Sequence, residues 1–261
     1  MKKAVFLDVD GTLYSHTSGG IPPSAVDAIQ KARNNGVLVF GCTGRNVEEL
    51  QLLKVDMNLL DGWITLNGAY CFNEKEIIHK DPIPREDINK LICYLNEHNL
   101  TIMFSIGKNM CINKFDETVE KDMQAIHTPY PEIEPLDYVI DKDVYQMCFY
   151  GKKKVIMPLF SLMEIEGTQW SDVAWDINHR GCSKASGITS FMKYFNLKKK
   201  DTYGVGDADN DIPMMEVTGT SICMGNGLEH VKEYADYVTS HIDEDGLYNA
   251  FAHYGLIGDK K

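Results

Sequence analysis

Short apolar runs, each stopping at a polar cluster, alternate with stretches of helical periodicity at both ends of this 261-residue sequence. Few folds are open to a chain written that way, because strands that alternate with helices pair in parallel and leave their carboxyl ends side by side. Ala4 to Val9 reads as a first strand, Val37 to Gly41 as a second and Trp63 to Leu66 as a third. Between them, Ser24 with Asp27 reads as a capping box opening a helix that carries Val26, Ile29 and Ala32 and stops near Gly36. Val47 to Leu53 reads as another helix. After Gly181 the rhythm returns with a helix face of Ile188, Phe191, Met192 and Phe195 and a strand from Tyr203 to Gly206. A helix from Asp211 to Val217, a strand from Thr220 to Met224, a helix from Val231 to Ala235, a short strand from Tyr237 to Thr239 and a last helix with Leu247, Ala250 and Phe251 complete it. The pattern predicts an α/β protein with a doubly wound parallel sheet.

The middle of the chain has a different character. Asp81-Pro82-Ile83-Pro84 breaks the first rhythm, and Ile88, Leu91, Ile92 and Leu95 then fall on one face of a helix. Strand-like runs follow at Thr101 to Ile106, Tyr145 to Tyr150 and Val173 to Ile177, with helical stretches near Thr118 to Ile126 and Val155 to Met163, the second of them interrupted by Pro158. The expectation is two modules: residues 1–82 and 180–261 as a core, with 83–179 as an inserted α+β domain.

In open parallel sheets a ligand sits outside the carboxyl ends of the strands, and four polar clusters are placed to meet there. They are Asp8-Val9-Asp10-Gly11-Thr12, Cys42-Thr43-Gly44-Arg45, Ser183-Lys184, and Gly206-Asp207-Ala208-Asp209-Asn210-Asp211. Each alone has a plain reading as a turn, a helix cap or a solvated charge. Together they suit phosphoryl transfer. Carboxylates crowded side by side repel unless a cation relieves them, and the oxygens of Asp8, Asp207 and Asp211 are hard ligands that suit Mg²⁺. The Thr43 hydroxyl, backbone N–H groups at Gly11 and Gly44, and the Lys184 ammonium would hold phosphate oxygens, where charge builds during transfer. Asp8 is then the candidate nucleophile, forming an aspartyl-phosphate, and Asp10 the acid that protonates the leaving oxygen and later the base that takes a proton from water.

These residues resemble the motifs of the haloacid dehalogenase (HAD) superfamily, and within it the Cof-like phosphatases, which carry an α/β cap between the second and third motifs. The likeness covers nearly the whole chain through Asp8-Val9-Asp10-Gly11-Thr12-Leu13, Thr43-Gly44-Arg45, Asn67-Gly68-Ala69, Lys184-Ala185-Ser186-Gly187 and Gly206-Asp207-Ala208-Asp209-Asn210-Asp211. It implies Asp8 as nucleophile, Asp10 as acid/base with its backbone carbonyl on Mg²⁺, and Thr43 and Lys184 as phosphate binders. It implies Asp207 as a metal ligand, Asp211 as a ligand directly or through water, and Asn210 near the phosphate. Members usually hydrolyse phosphorylated sugars or other small metabolites under a closing cap. Two departures stand out: Cys42 occupies a position where alanine is more usual, and Asp209 adds an acid to the last loop.

For substrate selection the candidates in the core are Arg45, as a partner for a hydroxyl or second anion or else in a helix-start salt bridge, and Asn67. In the inserted domain, Trp175-Asp176-Ile177-Asn178-His179-Arg180 offers either a tryptophan face for a sugar ring or a packed Trp175 with Arg180 at the surface. His241 to Gly246 reads as the acidic start of the final helix. A phosphomutase with the same aspartyl-phosphate chemistry, a receiver-like phosphorylatable signalling module and a binding protein with a vestigial site are the competing readings. The formal charge of −12 argues against generic binding to nucleic acid or anionic membranes. Lys2 and Lys3 precede only four apolar residues, too few for a signal core, and no run approaches membrane-spanning length. Seven scattered cysteines without a CxxC pair read as reduced thiols. The expectation is a cytosolic enzyme acting on a small phosphorylated metabolite, with no obligate protein partner.

Overall fold

The computed structural model describes residues 2–126 and 130–258. The elements run β1 (Ala4–Leu7), α1 (Pro23–Asn34), β2 (Leu38–Cys42), α2 (Val47–Leu52), β3 (Gly62–Thr65), β4 (Tyr70–Phe72), β5 (Ile77–Lys80) and α3 (Arg85–His98). Then come β6 (Thr101–Ile106), β7 (Asn109–Ile112), α4 (Glu117–Ile126), β8 (Glu132–Ile133), β9 (Gln146–Tyr150), α5 (Lys153–Leu162), β10 (Ile165–Gln169) and β11 (Ala174–His179). The chain continues through α6 (Lys184–Tyr194), β12 (Thr202–Gly206), α7 (Ile212–Val217), β13 (Thr220–Cys223), α8 (Glu229–Lys232), β14 (Tyr237–Val238) and α9 (Gly246–His253).

Two compact units result, one of Met1–Gly44, Lys54–His79 and Ser183–Lys261, the other of Arg45–Leu53 and Lys80–Cys182. The first is built on a sheet of order β14-β13-β12-β1-β2-β3-β4-β5. From β14 to β3 every neighbouring pair is parallel, and β4 then runs antiparallel to β3. This is the doubly wound α/β core. The chain winds outward one way through β2 and β3 and the other way through β13 and β14, so the order reverses between β1 and β12, the place where such sheets bind ligands. Side chains alternate along β1: Ala4 and Phe6 join a core of Phe40, Ile64, Ile188, Phe191 and Met214, and Val5 and Leu7 point the other way. Phe40 meets Phe191 edge-on at 4.9 Å between ring centres, tying α6 to the sheet.

The second unit is a sheet of order β10-β11-β9-β6-β7-β8, antiparallel except between β7 and β8. Ile88, Leu91 and Leu95 of α3 and Ile156 and Leu159 of α5 pack with Ile102, Phe104, Phe149 and Ile177 of its strands. Val119 and Met123 of α4 pack with Met103, Met110, Cys148 and Tyr150 in a separate cluster. Pro158 is carried inside α5, where its missing N–H leaves one helical hydrogen bond unmade.

Several local expectations are corrected. Ser24 does not open α1; the helix begins at Pro23, with Pro22 before it and no side-chain cap, because proline at the first turn presets the helical φ. The hairpin of β4 and β5 lies outside the sequence reading. Its turn is made by Asn73, whose Oδ1 accepts from Lys75 and Glu76 N–H groups. Strands β7, β8 and β10 were likewise not anticipated. Trp175 packs in the core of the second unit, so it presents no face to a sugar. Arg180 pairs with Glu164 and donates to the carbonyls of Phe160 and Met163. Among the described residues no helix is long and apolar enough to cross a membrane. All seven cysteines are free.

Candidate active site

Register brings the site together. Leu7 of β1 stands opposite Val205 of β12 and Gly41 of β2, so the residues that follow these strands leave the sheet as neighbours. Asp8 extends the ladder by one bond, its N–H donating to Val205 O at 2.9 Å, before the chain turns away. Three amides, those of Thr12, Leu13 and Tyr14, close onto Val9 O to make that turn. Gly11 sits in it at φ +82°, and a side chain there would run into the Asp207 carboxylate; only glycine serves both demands.

Asp8, Asp207 and Asp211 offer carboxylate oxygens that all lie within 4.8 Å of one another. Lys184 is the cation against them. Its ammonium is wholly buried and donates to Asp8 Oδ1 at 2.5 Å and Asp211 Oδ1 at 2.6 Å. The other Asp211 oxygen accepts from the N–H groups of Asp207 and Ala208, and Thr12 Oγ1 donates to Asp207 Oδ1 at 3.1 Å. Lys184 reaches this depth because the first turn of α6 sits directly against the turn after β3. Gly187 faces Ile64 and the Cα of Gly68 with no room for a Cβ, and Gly68, at φ +103°, meets Ser183 O in the same way.

Burial governs the charge states. It is the largest influence on Asp8 and pushes its carboxyl well above the usual range; Asp211 adds to the rise and Lys184 opposes it. Asp207 is pushed up to about 6, again by burial first and Asp211 second, with the Thr12 hydrogen bond pulling the other way. Burial acts to lower the Lys184 ammonium, but Asp211 and Asp8 outweigh it and hold the group above its ordinary value. Three carboxylates around one lysine, two of them bonded to it, leave the cluster short of positive charge, and its hard oxygen donors fit a divalent cation such as Mg²⁺.

The other sequence candidates are placed as follows. Thr43 is buried at the end of β2, its N–H on Ile64 O and its carbonyl accepting from Asn67 N–H. Asn67 adopts φ +54° in the turn after β3, with its side-chain amide against Gly44. Asp10 is partly exposed and hydrogen-bonds His16. Arg45 stands 3.9 Å from Glu49, one turn on, in the salt bridge weighed as its alternative. Asn210 is exposed in the short helical turn before α7. Asp209 turns outward to His230, outside the carboxylate cluster. Sequence reasoning missed three groups. Asn226 ties Gly11 O to Ile242 N–H, Ser15 Oγ donates to Asp243 at 2.6 Å, and His16 reaches Asp10. Asp243 is thus a tether for the first loop as well as part of an acidic turn. None of the three has a spacing that local sequence would flag: the partners of Asn226 and Ser15 are brought near only by the fold, and the bond of His16 to Asp10 lies within an irregular loop.

The family profile of the haloacid dehalogenase-like hydrolases matches residues 5–251. A solved structure of the HAD subclass IIB sugar phosphatase BT4131 is 33% identical, with a TM-score of 0.85, covering 98% of this chain and 100% of that one. The phosphatase BT1666 of Bacteroides thetaiotaomicron is 32% identical, with a TM-score of 0.87, covering 98% and 96%. The Bacillus subtilis 5-amino-6-(5-phospho-D-ribitylamino)uracil phosphatase YcsE is 27% identical over 260 residues, 97% of this chain and 96% of that protein.

Proposed function

From the premise that this chain belongs to the haloacid dehalogenase-like hydrolases and is a phosphatase of that family, we propose that it hydrolyses phosphate monoesters of sugars with Mg²⁺, through a phosphorylated Asp8. The observation that carries the reading is the cluster of buried Asp8, Asp211 and Lys184 with half-buried Asp207 at the switch point of the sheet. Asp8, Asp207 and Asp211, with the backbone carbonyl of Asp10, would hold the cation. A bound Mg²⁺ would neutralise phosphate oxygens and let an anion enter an acidic pocket.

Lys184 holds Oδ1 of Asp8, which leaves Oδ2 as the attacking atom. That oxygen forms a bond to phosphorus as the ester P–O bond breaks, and Asp10 gives its proton to the departing oxygen. Asp10 then takes a proton from a water that attacks the phosphorus, and phosphate leaves Asp8 as a free carboxylate. Thr43, Gly11 and Gly44 would bind phosphate oxygens, with Asn67, Arg45 and Asn210 as further substrate contacts. Residues 1–82 and 180–261 would serve as catalytic core and 83–179 as the module that selects the ester. The sugar assignment draws support from the sugar phosphatase and the phosphoribityl phosphatase among the similar proteins. Unpaired cysteines support a reducing, cytosolic setting.

The test is phosphate release from hexose and pentose phosphates, glycerol phosphate, phosphoglycolate and a nucleotide, run with Mg²⁺, with chelator and with Asp8→Asn protein. Mg²⁺-dependent release of free phosphate that Asp8→Asn abolishes, greatest with a sugar phosphate, is the expected result. An isomeric ester in place of free phosphate would make the enzyme a mutase, and release unaffected by Asp8→Asn would remove the nucleophile assignment.

A further inference from the structure

We propose that Asn226 is a positioning residue that keeps the loop after β1 seated against Asp207 before any cation binds, an inference that rests on the reading of Asp8, Asp207 and Asp211 as holders of Mg²⁺. Asn226 stands in a tight turn, closed by Gly227 N–H on Met224 O at 2.9 Å. Both ends of that turn are bonded to the segment that carries Asp207: Met224 N–H donates to Gly206 O at 3.0 Å and Leu228 N–H to Asp207 O at 2.9 Å. Gly227 leaves no room for a side chain, since a Cβ there would lie 2.6 Å from Cys223 Sγ and 3.1 Å from Asp207 O. The turn is thus fixed to the backbone at Asp207. From it Asn226 Nδ2 donates to Gly11 O at 2.8 Å, and Oδ1 accepts from Ile242 N–H at 2.9 Å. A carbonyl on one side and an N–H on the other allow the amide one orientation.

Gly11 is the place where such a tie has most effect, because glycine gives the backbone its widest choice. Its N–H is bonded to Tyr14 O at 3.0 Å and its carbonyl to Asn226. The next residue, Thr12, sends its hydroxyl to Asp207 Oδ1 at 3.1 Å. A ring of contacts closes: Asp207 O to Leu228, Asn226 to Gly11, and Thr12 back to the Asp207 carboxylate. Asp8 and the Asp10 carbonyl at one side of this ring and Asp207 at the other would hold the cation, so Asn226 joins beforehand the two segments that the cation joins. Without the cation, carboxylates within 4.8 Å of one another repel, and Lys184 gives its bonds to Asp8 and Asp211. The neutral amide opposes that spreading and orders the ligands ahead of the ion, which raises affinity. The three amides on Val9 O shape the first turn whatever Asn226 does. Loss of Asn226 therefore changes where that turn sits, not its form.

The quantity to measure is the Mg²⁺ dissociation constant, taken from the rise of Tm with Mg²⁺ concentration in metal-stripped protein without substrate. Asn226→Ala is expected to raise it about tenfold, the lower end of what is lost when the partners behind metal ligands are removed. Thr12→Val opens the ring at its other link and is expected to raise it by a similar factor. Combining the two is expected to cost much less than the product of the single effects, because one ring is broken either way. Ser15→Ala removes the bond from the same loop to Asp243, outside the ring. It is expected to lower Tm in chelator and to leave the Mg²⁺ constant within about twofold. A tie that serves stability alone would give Asn226→Ala a lower Tm with wild-type Mg²⁺ affinity, and that result would overturn the proposal. Full multiplication of the Asn226 and Thr12 effects would overturn it too, as would equal weakening by Ser15→Ala. Thr12→Val that binds Mg²⁺ as wild type does would overturn it whether or not Asn226→Ala folds. Wild-type protein whose Tm does not respond to Mg²⁺ would remove the metal reading along with the proposal.

Discussion

Lys184 is the residue on which the site balances. It is a buried ammonium bonded to two buried carboxylates, and a third carboxylate, Asp207, stands beside them. Removing one partner of a buried pair strands the other charges, a loss of about 3–5 kcal/mol in stability. Lys184→Met is therefore expected to lower the urea midpoint by that order without metal, to recover part of the loss when Mg²⁺ is added, and to cut phosphate release by at least about 10²-fold. A variant as stable as wild type under chelation would show that Asp8 and Asp211 do not depend on the lysine. At this scale much was legible in sequence. Asp8, Thr43, Lys184, Asp207 and Asp211 each end or begin an element that hydrophobic periodicity marks, so their meeting followed from the topology. Asp209 was ambiguous beside Asp207 and Asp211, because one turn can face three acids in different directions; its pairing with His230 decides it. His16 and Asn226 gave no signal and Asp243 only that of an acidic turn, since a hydrogen bond within a loop or between loops leaves no period in the chain.

Elements deliver these side chains, and the seat of α6 matters most. Its first turn rests on Ile64 and Gly68 because residue 187 has no side chain, where an added Cβ would lie 2.6 Å from Ile64 Cγ2. Gly187→Val is expected to lift the helix from β3, at about 1–3 kcal/mol of strain, and to slow turnover more than Gly187→Ala. Denaturant midpoints and phosphate release from both variants check this, and unchanged turnover in a destabilised Val variant would show that Lys184 holds its place without α6. Helix α6 was readable from Ile188, Phe191, Met192 and Phe195, which do pack on the sheet. Short elements were not. The hairpin of β4 and β5 carries three and four residues, too few for alternation to register. The box expected at Ser24 yields to a proline start. At α2 the reverse holds: Asn46 and Glu49 do form a capping box, its Glu49 carboxylate accepting from Asn46 N–H at 2.6 Å, and no cap had been read there.

At the scale of the molecule the acidic cluster couples function to stability. Asp207 carries a raised folded pKa, about 6 against 3.8, so between those values the folded state binds more protons than the unfolded one. Stability from this group is fully present below pH 3.8 and is lost as pH rises through about 6, by about 3 kcal/mol in all. In chelator, Tm of wild type is expected to fall relative to Asp207→Asn as pH rises from about 4 to about 7, and Mg²⁺ to reverse the fall. Parallel curves for the two proteins would show that Asp207 is not raised. The sheet order has one more consequence, for synthesis. β1 lies between β2 and β12, and the partner that completes its second edge is almost two hundred residues away. A nascent chain that has left the ribosome only through β11 holds Asp8 and Thr43 but neither Lys184 nor the last two carboxylates. Its most buried strand still shows an open edge of backbone donors and acceptors, a surface on which other chains can pair. Chaperone capture of stalled chains is expected to drop sharply once β12 emerges.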